Sequence, residues 1–289
     1  MGLPIGILTI YGALAIWALL LARSLRSGTY HAFFWFGIAL MLYLNVGYLL
    51  NGVPQSIAFF IGIYDVLINL GLTSADSVAA VQACPDNACT VWGETFENHP
   101  AWGVAFYDRF ANGPEFRSTL LYGHIIFNSI AFVLVHVQLL RPGGNGFGQH
   151  RLLGRVTFAA LTLSLICAVW LASQHGPVTQ YGGPLAEYGF YSMAAFVYGS
   201  AILGILAIRS GDADRHRVWM FRFAGSMWGS FWLFRVMLFV LDPLLRNVEA
   251  AAILICIWGS APLGILLGEL VRRRLDRTAA PSRSMMPAE

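Results

Sequence analysis

Two short runs each set a histidine among arginines: QHRLLGR, with His150, Arg151 and Arg155, and RHRVWMFR, with Arg215, His216, Arg217, Trp219 and Arg222. In each, a His-Arg pair is followed by another arginine one to two helical turns further on. Residues four apart share a helix face, so Arg151 and Arg155 are placed to grip one anion with two guanidinium groups. A phospholipid phosphate, a haem propionate or an acidic group of a partner would each suit that chemistry. The two segments are expected to form a cationic ring at the headgroup level, with Gly154 allowing close approach and Trp219 as an interfacial anchor. The competing reading is that the arginines only snorkel and enforce orientation. It accounts for the arginines but not for the paired histidines.

A sparser set of polar residues lies in strongly apolar surroundings, where ionisable groups are costly. His124 is followed one turn later by Asn128, and Gln138 returns to nearly the same direction. Glu187 and Arg235 are candidate partners. An unpaired buried Arg235 would be expensive, so pairing with Glu187, Asp242 or Asp65 is expected. Such a network reads either as a lock between helices or as a proton or substrate site. His136 adds a haem reading. His124 and His136 are twelve residues apart, a spacing that turns the rings about 120° from each other, and no second span supplies a matching pair. A single haem b between His136 and His216 or His150 remains open, with Arg151 or Arg217 meeting its propionates.

Other chemistries lack their motifs. Lysine is absent, so there is no phosphate loop ending in lysine, and neither H-E-x-x-H nor a nucleophile elbow is present. No metal site is expected, and the balance leans away from an enzyme.

The elements that position these residues are membrane helices. Of 289 residues, 57% are hydrophobic and only 11% charged, whereas soluble domains are near a quarter charged. Seven apolar runs, roughly 2–22, 31–51, 118–140, 152–173, 187–208, 218–240 and 248–271, are each long enough to cross a core of about 30 Å. In lipid such runs must be helices, because every backbone polar group has to be satisfied within the segment. The first run has no basic residue before it and Arg23 and Arg26 behind it. That order opposes a cleavable signal and favours a permanent helix with its N-terminus outside.

With that start, the inner loops hold Arg141, Arg151, Arg155, Arg209, Arg215, Arg217 and the cluster Arg272, Arg273, Arg274, Arg277 and Arg283, while the outer segments between spans hold Arg109, Arg117 and Arg246. The positive-inside rule is obeyed, and the C-terminus falls inside a bacterial-type inner (cytoplasmic) membrane. An eighth run, Gln55 to Leu72, contains Asp65 and Asn69. Were it to cross, every later arginine-rich loop would face outward, so it is read as interfacial or re-entrant.

Residues 73–117 then form an outer loop, a small cap. Cys84 and Cys89 flank the turn-forming Pro85, Asp86 and Asn87 and are expected to form a disulfide; metal binding with His99 is the weaker reading. Cys167 and Cys256 lie in mid-span. Ser260, Gly264 and Gly268, each four apart, let another helix approach closely and are read as internal packing rather than dimerisation. The layout is one transmembrane domain over 1–277 and a disordered tail over 278–289.

The order His124, QHRLLGR, a Gly-rich turn at Gly182 and Gly183, then RHRVWMFR resembles an uncharacterised prokaryotic membrane family, domain of unknown function 2306. The resemblance covers roughly Leu120 to Val240. Its most specific residues are His150, Arg151, Gly154 and Arg155 with His216, Arg217, Trp219, Met220 and Arg222. It implies a shared site geometry and supplies no reaction.

The sequence therefore describes an all-α, seven-span, multi-pass membrane bundle. Its leading function is accessory or ligand/lipid binding through the inner His/Arg ring, with membrane lipids, a membrane-protein partner or self-association as contacts. The absence of a basic patch interleaved with exposed aromatics disfavours nucleic acid. The alternatives are a haem b redox protein exchanging electrons with quinone, and a proton-coupled transporter using His124, Glu187 and Arg235. The transporter is weakened by the lack of any visible inverted repeat.

Overall fold

The apolar runs fold as helices, and a computed structural model describes residues 5–51, 71, 115–140, 147–173, 183–244 and 249–279. The elements are α1 (Ile5–Ser27), α2 (His31–Asn51), α3 (Glu115–Leu140), α4 (Phe147–Ala172), α5 (Gly183–Arg209), α6 (Ala213–Trp228), a π-helical turn (Gly229–Leu233), α7 (Phe234–Leu244) and α8 (Glu249–Ala279). No strand occurs among the described residues. Five segments are by themselves long and apolar enough to cross a membrane: His31–Leu50, Phe116–Leu140, Gly148–Ala172, Pro184–Arg209 and Ala252–Arg277.

The expected spans correspond to helices, with three differences. The sixth is a rod in two pieces, α6 and α7, joined through the π turn, in which the Phe234 N–H reaches back to the Gly229 carbonyl. At the arginine-rich end α4 starts at Phe147 and α8 runs to Ala279, beyond the apolar runs, because polar residues continue a helix once it leaves hydrocarbon. α8 thus takes in residues 278 and 279, the first two of the expected tail. At the other end α3 begins at Glu115, inside the expected outer loop. The run Gln55 to Leu72 apart from Gly71, most of the outer loop, Cys84 and Cys89 with their expected disulfide, and residues 280–289 lie outside the described residues. Neither Cys167 nor Cys256 is in a disulfide among the described residues.

Turn chemistry closes two connections. Gly28 and Gly211 adopt φ of 75° and 82°, a left-handed conformation that costs glycine little and ends α1 and α5. Asp212 then caps α6, its Oδ1 accepting the Arg215 N–H at 2.8 Å.

Between membrane helices there is little hydrophobic drive, since lipid is as apolar as leucine, so close packing and buried hydrogen bonds supply the contacts. The tightest seam joins α6 and the π turn to α8. A methyl group on Gly225 would strike the Gly264 carbonyl, one on Gly229 the Ser260 carbonyl, and one on Gly268 the Phe221 carbonyl. The small-residue stripe on α8 is therefore internal packing, and its partner stripe is Gly225 and Gly229. The centre of the bundle is aromatic. Trp17 of α1, Phe33 and Phe34 of α2, Phe132 of α3, and Trp228 and Trp232 form one buried cluster, with ring centroids 5.4 Å apart for Trp17 and Phe33 and for Phe33 and Trp228.

Polar clasps tie neighbouring helices. Asn45 of α2 donates to Ser129 Oγ of α3 at 2.7 Å, and Gln138 of α3 donates to Thr157 Oγ1 of α4 at 3.0 Å. Large side chains such as Leu19, Leu50, Leu152, Trp170, Leu185 and Leu266 stay exposed, as suits helices whose outer faces meet lipid.

Candidate anion-binding site

Helix ends rich in arginine gather at one end of the bundle. Arg274 of α8 donates from Nη2 to the Arg26 carbonyl at the end of α1, at 2.6 Å, and Arg217 at the start of α6 pairs with Asp276 near the end of α8. The His150 ring at the start of α4 lies 6.3 Å, centroid to centroid, from the His216 ring at the start of α6, with the planes at 86°. His216 Nδ1 lies 2.8 Å from the Gly204 carbonyl near the end of α5. The two sequence runs thus meet through their histidines.

Their arginines do not form a ring. Arg217 is bound by Asp276, and Arg222 lies 3.6 Å from Glu269 while its Cζ stacks 4.6 Å above the Trp219 ring. Glu269 also accepts from Arg272 at 2.6 Å and from Arg273 at 2.8 Å, and Asp276 accepts from Arg272 at 2.6 Å. One half of the expected ring is therefore neutralised by carboxylates of α8. Sequence reasoning missed Glu269 and Asp276; the signal was the spacing of Glu269, Arg272, Arg273 and Asp276, three and four apart.

Arg151 and Arg155 are different. Both are exposed on α4, and no carboxylate pairs with either among the described residues. Gly154 is not a forced contact, since a methyl there would sit 3.5 Å from Gln138 Oε1, an ordinary separation. Nearby, the Tyr30 hydroxyl between α1 and α2 is pushed up from its usual pKa by burial, an effect that the charge of Arg274 partly opposes.

Among the described residues the outer network is not assembled. His124 Nδ1 contacts Ser164 Oγ at 2.9 Å and the Ser164 carbonyl at 3.2 Å, joining α3 to α4. Glu187 accepts from the Tyr191 hydroxyl at 2.8 Å, one turn along its own helix. Arg235 donates to the Phe231 carbonyl at 2.7 Å and stacks 4.0 Å above the Phe231 ring. Glu187 is thus not its partner, and the Asp65 and Asp242 side chains lie outside the described residues. Asn128 remains half-buried on α3.

His136 does not fit the haem pairing. It is 1% exposed, its Nδ1 lies 2.6 Å from the Phe132 carbonyl, and the Trp228 indole N–H donates to its Nε2 at 2.6 Å. The lone pair that would bind iron is occupied by the indole. Among the described residues no three or more His, Cys, Asp or Glu side chains are grouped to hold a metal ion.

Fold and site together define a helical membrane protein with a basic end at which, among the described residues, Arg151 and Arg155 lie exposed next to the His150–His216 contact without a carboxylate partner. The family described as "Predicted membrane protein (DUF2306)" matches residues 121–271. That is more than half of the chain, which therefore belongs to this family. The match extends past the resemblance read from sequence and takes in α8 as far as residue 271, with Glu269 and the glycine seam. No match was found among curated proteins or solved structures.

Proposed function

We infer that the chain crosses a bacterial-type inner membrane seven times, with its N-terminus outside, and serves there as an accessory protein that holds an anionic headgroup or acidic ligand at its cytoplasmic end. The observation that carries this reading is the contrast within the basic end. Arg217, Arg222, Arg272 and Arg273 are engaged by Glu269 and Asp276, whereas Arg151 and Arg155 are exposed on α4 one turn apart. Two guanidinium groups on one face at the headgroup level suit a bidentate hold on phosphate or carboxylate. The positive-inside distribution supports the sidedness.

The test is lipid retention by the purified protein in nanodiscs of neutral lipid doped with an anionic lipid. Arg151→Ala with Arg155→Ala is expected to lower retention about tenfold, while Arg217→Ala leaves retention largely intact and lowers stability. Equal retention by wild type and the double variant overturns the reading.

A further inference from the structure

The histidine pair deepens the anion-binding reading and rests on it. A carbonyl only accepts, so the contact between His216 Nδ1 and the Gly204 carbonyl at 2.8 Å fixes the proton of the neutral ring on Nδ1 and the lone pair on Nε2. Neutral His216 thus offers an approaching oxyanion an acceptor, and holds it only after Nε2 takes up a proton.

The separation of the rings suits a shared oxygen. A direct hydrogen bond between two imidazoles places their centres about 5 Å apart, while two N–H groups converging on one oxygen at a wide angle place them roughly 6–7 Å apart. The observed 6.3 Å with planes at 86° falls in the second range. The charged groups at this end of the surrounding elements are Arg151 and Arg155 on α4, Arg209 on α5, Asp212, Asp214, Arg215, Arg217 and Arg222 on α6, and Glu269, Arg272, Arg273, Arg274, Asp276 and Arg277 on α8. Asp276 is taken by Arg217 and Arg272, and Asp212 caps its own helix. Neither imidazole is ion-paired with a carboxylate among the described residues. Apart from the exposed Asp214 two residues before His216, a proton added to the pair meets no unengaged carboxylate on these elements among the described residues, and an outside anion balances it.

We propose that His150 and His216 form a proton-linked site for a phosphate monoester, preferred over a phosphodiester. A monoester has a second ionisation near pH 6 and three terminal oxygens, so at neutral pH its second charge draws a proton onto the pair. A diester carries one charge and draws it less.

The experiment uses the full-length protein in phosphatidylcholine nanodiscs doped with phosphatidic acid, a monoester lipid, or phosphatidylglycerol, a diester. Retention is measured from pH 6.5 to 8.5, with glycerol 3-phosphate as a soluble competitor. Phosphatidic acid retention is expected to fall about tenfold per pH unit above pH 7, the slope for one proton taken up, while the diester, held through Arg151 and Arg155 without the histidine pair, stays flat. His150→Gln and, separately, His216→Gln flatten the slope; His150 is exposed, so its variant keeps the fold. Competition by glycerol 3-phosphate supports the proposal with a soluble ligand, and its absence supports it with the lipid headgroup. Equal retention of both lipids at every pH, or a slope unchanged in both variants, overturns the proposal. Retention of neither lipid overturns instead the broader anion reading.

Discussion

The indole N–H of Trp228 donates to Nε2 of His136 at 2.6 Å, and the other ring nitrogen of His136 lies 2.6 Å from the Phe132 carbonyl. Both polar atoms of a fully enclosed imidazole are thereby satisfied within protein, where either one left alone would be costly. The bond links α3 to the end of α6, directly before the π turn.

Trp228→Phe removes the donor and strands Nε2. The variant is expected to lose about 1–3 kcal/mol of stability, read as a lower midpoint of thermal unfolding in detergent. His136→Ala is expected to lower that midpoint further, by leaving a cavity as well. A wild-type preparation made with ample haem whose reduced-minus-oxidised spectrum shows a haem b band that His136→Ala abolishes would contradict this structural role.

The glycine seam predicts a position-specific response to one added carbon. Gly225→Ala and Gly264→Ala each place a methyl against backbone, and are expected to cost about 1–3 kcal/mol or more. Gly199→Ala, where nothing lies within 4 Å, is expected to be neutral or slightly stabilising, since alanine favours helix over glycine. Equal unfolding midpoints for all three proteins would show that the seam does not form.

Glu269 is the shared acceptor of Arg222, Arg272 and Arg273. Glu269→Gln keeps the shape and removes the charge, and is expected to cost about 2 kcal/mol, reduced by high salt because the arginines are partly exposed. It also frees arginines at the basic end. Retention of anionic lipid is therefore expected to rise while the melting midpoint falls, and a parallel fall in both would argue against competition between Glu269 and the ligand.

Sidedness is checked by single reporter cysteines in a background lacking the native ones. Ser27→Cys and Ser210→Cys, at the basic end, are expected to react with a membrane-impermeant maleimide only after the cells are opened. Labelling of either in intact cells would reverse the orientation.

Much of the scaffold was legible because lipid imposes one rule, an unbroken apolar helix, and the chain obeys it in long runs. Boundaries were less so, since α4 and α8 continue into polar sequence. The stripe of Ser260, Gly264 and Gly268 announced a close neighbour, but Gly225 and Gly229 did not announce themselves as that neighbour, as glycine is common in such helices. The His150 and His216 runs were visible from their composition. That α8 would silence Arg217 and Arg222 depends on which helices pack together, and no local pattern encodes it. The outer network failed for a related reason: His124, Glu187 and Arg235 each found a nearer partner in Ser164, Tyr191 and Phe231.

The single wider coil at Gly229–Leu233 acts as a phase shifter along the sixth rod. A π turn holds one residue more than an α turn, so everything beyond it is rotated by about a quarter of a revolution relative to an uninterrupted helix. The half bearing His216 and the half bearing Arg235 are indexed separately against their neighbours. Deleting one residue there would restore ideal geometry and leave Arg235 near its present direction, whereas tightening the turn to α geometry at full length would swing Arg235 by about a quarter of a revolution.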